Sequence, residues 1–382
     1  MSKKKTDVSK EALKLHKKLA GKIAITPTKL VKNREELSLI YTPGVGAVSS
    51  YLATHKEETA HYTMKGKMVA VVSDGSAVLG LGKIGPEGAL PVMEGKAVLF
   101  KSLAGVDAFP IVLDTHDPKE IVETVIRLAP NFGGINLEDI AAPQCFDIER
   151  ELKERLSIPV IHDDQHGTAI VVLAGLMNAF KVVKKDMKKS TIVISGAGAA
   201  GTAIANLLLL YGVHDLILLD RNGIISQNRG DVKGYKLDLA MRTNPRHVEG
   251  AIDEALSGAD AFIGVSGPGL LTKAHIQLMN QKPIVFALAN PTPEIMPDAV
   301  HAAGAFVVAT GRSDFPNQIN NALVFPGLFK GALKHKVTSI TEDMKLKAAK
   351  NLASLVKNPK KEKIIPGIFE KGVADAVAQA VK

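Results

Sequence analysis

Thr191-Ile-Val-Ile194 and the run after it, Ser195-Gly-Ala-Gly-Ala-Ala-Gly201, restrict what this chain can fold into more than any other stretch. Four β-branched residues predict a buried strand, the G-x-G-x-x-G run a tight turn, and the apolar residues 202–211, closed by Gly212, a helix. A further strand at 216–219 ends in Asp220, about the twenty-residue spacing that a dinucleotide-binding βαβ unit places between its glycines and its ribose-binding acid. Gly196 would permit the turn, and Gly201 would let helix and strand pack closely. Gly198 would let a pyrophosphate reach the backbone at Ala197, Ala199 and Ala200 where the helix starts. A glycine turn can also pack on a sheet with no ligand, so the reading needs support from the rest of the chain.

Downstream, predicted strands at 261–265, 284–288 and 306–309 end in Gly267-Pro-Gly269, Asn290-Pro291 and Thr310-Gly-Arg-Ser313, glycine or polar residues where a nicotinamide and a substrate can meet. Asn320-Asn321 follows; an asparagine pair is also a common cap or turn. Upstream, strands are predicted at 67–73, 109–113, 134–137 and 158–161. Helices alternate with them: one from Pro91 bearing Lys96, one over 117–129, one from near Pro143, and one opened by Gly167-Thr168 that runs to about 180. Such alternation implies a parallel sheet with helices on both faces. The expected fold class is α/β with two domains, an N-terminal parallel-sheet substrate and metal domain over 1–182 and a C-terminal Rossmann-type NAD(P)-binding domain over 183–382. The charged stretch 184–189 marks the boundary, and residues from about 340 form a helical tail.

Two acidic pairs stand at strand ends of the first domain: Glu138-Asp139 after 134–137, and Asp163-Asp164 after 158–161. If those strands are neighbours in one parallel sheet, both pairs lie on the edge where α/β proteins bind ligands. Like charges gathered there raise one another's pKa unless a cation neutralises them, and a hard, oxygen-ligated ion such as Mg2+ or Mn2+ suits them. An acid before a helix also serves as a cap, so either pair alone leaves the metal open. His162 and His166 flank the second pair, but the strand-to-helix break between them opposes a shared zinc site, and capping or supporting roles are expected. Tyr41 precedes the Pro43-Gly44 turn, which it could simply plug. The first 25 or so residues predict a basic helix with Leu13, Leu19 and Ile23 available for packing.

A formal charge of +9 invites a nucleic-acid hypothesis, yet much of the lysine excess lies at the ends, in Lys3-Lys4-Lys5, Lys17-Lys18 and residues 357–363. Aromatics are 4%, there is no Trp, and no basic stretch is interleaved with stacking residues. A solvated surface is expected, with no nucleic-acid partner and some attraction for anionic substrates. A single cysteine, Cys145, excludes an internal disulfide and a cysteine-based zinc site and fits a core residue in a reducing, cytoplasmic setting. No unbroken run of about eighteen apolar residues exists, so no membrane span is expected.

Assembled in order, Tyr41-Thr-Pro-Gly-Val45, Ser73-Asp-Gly75, Pro91-Val-Met-Glu-Gly-Lys96, Asn136-Leu-Glu-Asp139, His162-Asp-Asp-Gln-His-Gly-Thr-Ala169, the Gly196 turn, Ala289-Asn-Pro-Thr292 and Asn320-Asn-Ala-Leu-Val-Phe-Pro-Gly327 form a specific set. On them the chain resembles the malic enzymes over nearly its whole length, and its size is similar to the short bacterial form. The resemblance implies oxidative decarboxylation of (S)-malate to pyruvate and CO2, with NAD as acceptor and NADP possible, Mg2+ or Mn2+ as the metal, and a homodimer. By motif position it implies Glu138, Asp139 and Asp164 as metal ligands, and Asp163 as a carboxylate supporting the catalytic network. Lys96 becomes the general base, Tyr41 the general acid, and Asn290 and Asn321 the asparagines that hold substrate, Asn290 also beside the cofactor. Asp220 favours NAD because it would repel the 2′-phosphate of NADP, which Arg221 beside it could tolerate.

Two positions depart from the family. Ser76-Ala77 stands where larger members place a carboxylate-binding arginine, so the substrate carboxylate must rest more on the metal, the asparagines and backbone N–H groups. Lys83 stands where short forms commonly have an acid, and nothing in the sequence explains it. The alternatives are a two-domain dehydrogenase acting on another hydroxy or amino acid without decarboxylation, and a nucleotide-sensing or nucleic-acid-binding protein that keeps the fold without chemistry.

Overall fold

The computed structural model describes residues 7–78 and 80–382, so the Lys3-Lys4-Lys5 run lies outside the described residues. Strands β1 (Met68–Ser73), β2 (Asp107–Val112), β3 (Gly134–Leu137) and β4 (Val160–His162) form a four-stranded sheet in the order β2-β1-β3-β4, every pair parallel. The strands β1, β3 and β4 are almost wholly buried apolar runs, as a parallel sheet covered on both faces requires. One face packs on Ile121, Val125, Cys145, Ile148 and Leu152, and burial pushes the Cys145 thiol up.

Six further strands, β5 (Thr191–Ser195), β6 (Asp215–Asp220), β7 (Gly223–Ile224), β8 (Ala261–Gly264), β9 (Ile284–Ala287) and β10 (Val307–Thr310), form the second sheet in the order β10-β9-β8-β5-β6-β7. All its pairs are parallel except β6–β7. That is the doubly wound order of a dinucleotide-binding sheet, with its direction of winding reversing between β5 and β8. The short antiparallel β7 was not expected from the sequence, since two residues carry no periodicity.

Helix Asp163–Val183 ties the sheets together. It packs on helices Ala199–Tyr211 and Glu342–Ser354, and shares one continuous core with Val69 and Phe100 of the first domain and Ile192 and Phe286 of the second. It is apolar enough to cross a membrane by length and mean hydropathy, but 78% of that window is buried, the mark of a core helix. Its first residue is Asp163 and not Gly167, so the second acidic pair lies inside the first helical turn and not ahead of it. Likewise, the helix bearing Lys96 spans Gly85–Ala104 and contains Pro91, which the sequence reading had placed at its start.

The tail docks firmly. Helix Glu342–Ser354 lies on Asp163–Val183, and Val373–Ala378 lies on Phe325–His335, which also covers β3 and Gly85–Ala104. The opposite holds at the other end: helix Val8–Leu19 buries none of its residues, and Leu13 and Leu19 are exposed, so the expected packing is not made within one chain.

Candidate active site

The register of the first sheet gathers the acids. Val72 pairs with Leu137 and Leu137 with His162, so the residues that leave β1, β3 and β4 share one edge. One oxygen from each of Glu138, Asp139 and Asp164 lies within 4.8 Å of the others. The Asp139 N–H donates to Asp164 Oδ2 at 2.8 Å from a backbone with φ of 55°. Asn136, two residues before Glu138 and on its side of the strand, donates from Nδ2 to Glu138 Oε2 at 2.9 Å. Burial first, and then the charges of Asp164, Asp163 and Asp139, hold the Glu138 carboxyl well above its ordinary range against the pull of Lys96. A donor set made only of crowded, largely buried carboxylate oxygens fits a hard divalent cation.

Lys96 enters this cluster from helix Gly85–Ala104. Its Nζ lies 3.0 Å from Glu138 Oε1, donates to Asp163 Oδ2, and sits 4.1 Å from the centroid of the Phe325 ring. Burial alone would lower its pKa; the carboxylates of Asp163, Glu138 and Asp164 outweigh that and raise it. Burial likewise raises the Asp163 carboxyl, whose Oδ1 finds no hydrogen-bond partner among the described residues. A Cβ on Gly167 would stand 1.8 Å from that oxygen and 3.2 Å from the Asn321 Cβ, so glycine is required there and Asn321 lies beside Asp163.

Hydrogen bonds from Glu149 and Lys345 brace the β4–helix junction. Lys345 Nζ can only donate, and it does so to His166 Nδ1 at 2.9 Å, which leaves the proton on Nε2 for Glu149 Oε2 at 2.9 Å. Burial, aided by Lys345 and Lys153 and opposed by Glu149, pushes His166 down to about 4, so the ring is neutral. The other Glu149 oxygen accepts the His162 N–H at 2.9 Å. Glu149 is thus bonded to the His162 backbone and to the His166 ring on either side of the acidic pair. The sequence reading gave no role to Glu149, Lys345 or Phe325, whose partners at the site come from other elements. Asn136 carried a signal, being a lone amide in a buried strand.

The glycine turn has the local geometry the sequence reading required. Gly196 has φ of 112°, and a Cβ on Gly201 would stand 1.7 Å from Gly196 O. Gly198 faces open space, Ala197 precedes it, and Ala199 and Ala200 begin a helix without a side-chain cap, so its first N–H groups are available to a pyrophosphate. Asp220 ends β6, but its charge is already engaged: Oδ2 accepts from Arg229 at 2.7 Å and Lys236 at 2.6 Å, and Oδ1 accepts from the Asn222 N–H at 2.9 Å. Burial would raise this carboxyl; the two cations and the backbone bond hold it at about 2. Buried Glu294 accepts from Ser266 N–H and Ala289 N–H, both at 3.1 Å, tying together the loops after β8 and β9. Asn290 is exposed there, with its carbonyl against Gly80 of the first domain.

Tyr41 is not drawn into this cluster. It follows helix Arg34–Ile40, is 66% exposed, and no hydrogen bond joins its hydroxyl to Lys96 or Asp163 among the described residues. Ser76 donates to Asp74 Oδ1 at 2.6 Å and accepts from the Ala141 N–H at 2.8 Å, a turn-forming role.

Fold and site thus define a two-domain α/β protein of the dinucleotide-binding class, with a cluster of carboxylates at the strand ends of its other sheet. The chain belongs to the malic enzyme family: residues 20–153 match the family's N-terminal domain and 165–382 its NAD-binding domain. It is 54% identical over 374 residues to the bifunctional malic/malolactic enzyme of Bacillus subtilis, covering 97% of this chain and 91% of that one. It is 47% identical to the NADP-dependent malic enzyme of Halomonas elongata, over 93% of this chain and 84% of that one. The crystal structure of the NAD-dependent malic enzyme of Thermotoga maritima matches with a TM-score of 0.95 at 50% identity, covering 97% and 98%.

Proposed function

We propose that the chain oxidatively decarboxylates (S)-malate to pyruvate and CO2 with reduction of NAD, accepting NADP as well, and that Glu138, Asp139 and Asp164 hold Mg2+ or Mn2+ for this reaction. The observation that supports this best is the meeting of three cation-ready carboxylates with a buried lysine at the strand ends of one sheet. When bound, the nicotinamide accepts the hydride from C2 and the cation stabilises the charge that develops on the C2 oxygen as CO2 leaves. The chain's own residues supply the rest.

Lys96 takes the proton of the C2 hydroxyl. Asp163, then Glu138 and Asp164, raise its pKa; a cation held by Glu138 and Asp164 would offset their share and ease loss of the lysine proton, while Asp163 stays bonded to it. Asp163 holds Lys96 in place, and Asn321 and Asn290 hold the substrate. Tyr41 returns a proton to C3. Because Tyr41 stands exposed among the exposed Leu30, Leu37, Leu39 and Ile40, we assign this face to a homodimer that brings Tyr41 to the substrate.

The backbone from Gly196 to Gly201 takes the pyrophosphate and Asp220 the ribose. Arg229 and Lys236 offset the Asp220 charge, which is why a 2′-phosphate is accommodated. We further propose the division into 1–182 and 183–382 and a cytoplasmic setting.

The test mixes protein, malate, NAD or NADP, and Mn2+ or EDTA, following reduced nicotinamide by absorbance alongside pyruvate. The two products should form in equal amounts with Mn2+ and not with EDTA. Reduction that ignores EDTA, or yields no pyruvate, would leave a non-decarboxylating dehydrogenase instead.

A further inference from the structure

The charged stretch at the domain boundary, residues 184–188, also forms part of the rim of a cleft. A cavity of about 440 Å3 opens where helix Asp163–Val183 ends, beside the C-terminal end of Ala199–Tyr211 and the last turn of Glu342–Ser354. That volume lies in the usual range for small-ligand pockets. Met177, Phe180 and Tyr211 give it an apolar and aromatic wall. Around them stand Lys181, Lys184, Lys185, Lys188 and Lys350, against one lining carboxylate, Asp186.

Lys185 is neutralised by Asp260 at 2.7 Å, and Asp186 uses Oδ1 to accept the Lys188 N–H at 3.0 Å. No ion pair joins Lys181, Lys184, Lys188 or Lys350 to a carboxylate among the described residues. Lysines at a helix C-terminus complement its dipole, which accounts for Lys181 and Lys184. Lys188 serves the second helix in the same way, lying over the Tyr211 ring at 5.3 Å beside the C-cap Gly212, but neither helix end accounts for Lys350, which arrives from a third. Four exposed like charges gathered at one apolar-walled cavity give it a positive potential that favours an anion.

We propose that this cleft binds a small organic phosphate, with its phosphate oxygens taken by Lys184, Lys188 and Lys350 and its apolar body laid on Met177 and Tyr211. The inference does not depend on the catalytic reading. Both helices that end at the cleft begin at the sites already described, Asp163 and Asp164 on one and the glycine turn on the other. Their 21 and 13 residues place the cleft about 30 Å and about 20 Å away from those ends.

The experiment is calorimetric titration of the metal-free protein, its dinucleotide site saturated with NAD, with ADP and separately with inorganic pyrophosphate. ADP should bind once per chain and more tightly than pyrophosphate, which lacks the apolar body. In Lys184→Glu/Lys350→Glu, ADP affinity should fall by at least about tenfold while NAD binding and malate turnover are retained. Absence of ADP binding to the NAD-loaded protein, or equal affinity in the double variant, would overturn the proposal. Retention on single-stranded DNA that the double variant loses, with no ADP binding, would overturn it in favour of a nucleic-acid backbone.

Discussion

Asp220 illustrates how a single residue's meaning depends on its neighbours. A carboxylate at the end of the second dinucleotide-binding strand normally turns away a 2′-phosphate. Here it is bonded by two cations, and the Lys236 side chain makes no other bond among the described residues, whereas Arg229 also holds the carbonyls of Gly223 and Ile224. Lys236→Ala should therefore lower kcat/KM with NADP by about tenfold, the worth of one charge-assisted hydrogen bond, and with NAD by less than about threefold. Equal losses with both nucleotides would assign Lys236 a merely structural role. The carboxylates and glycines of the site were legible in the sequence because strand-end position follows from local pattern. The cations on Asp220 were not, because they lie nine and sixteen residues further on, past a hairpin too short to carry a signal, while Arg221 beside it drew attention instead.

Helix Asp163–Val183 serves three ends: its first turn carries Asp163 and Asp164, its body joins the two domain cores, and its last turn borders the lysine cleft. Polar residues at 163–166 look like a cap ahead of a helix, which is why the sequence placed the start at Gly167. The bonds from Glu149 to His162 and His166, and from Lys345 to His166, hold those residues in helical turn from the outset. No local pattern announces such partners. The same crowding fixes Gly167, where a methyl group would collide with Asp163 Oδ1. Gly167→Ala should displace Asp163, cost about 1–3 kcal/mol of stability as overpacking does, and lower kcat far more than it changes the KM for NAD. A melting temperature and turnover both near wild type would show that the helix relaxes without moving the carboxylate.

At the scale of the whole molecule, the two ends of the chain behave oppositely. The C-terminal helices close the core, and the alternation of strands and helices that foretold parallel sheets is realised in both apart from the antiparallel β6–β7 pair. The N-terminal segment leaves Leu13, Leu30, Leu39 and Tyr41 each at least 65% exposed to water. The homodimer we propose covers it, so Leu39→Asp should shift sedimentation from dimer toward monomer and lower malate turnover together. A wild-type chain that sediments as a monomer at micromolar concentration while fully active would rule that assembly out.

The central claim remains that carboxylates from two strand ends, crowded against Lys96, are held ready for a divalent cation. Titration of the protein with Mn2+, followed by the loss of free-ion paramagnetic resonance, tests it without substrate or nucleotide. One Mn2+ per chain is expected to bind, with affinity at least about tenfold weaker in Asp164→Asn, whose lost ligand charge no neighbour replaces. An unchanged titration in that variant would contradict the account.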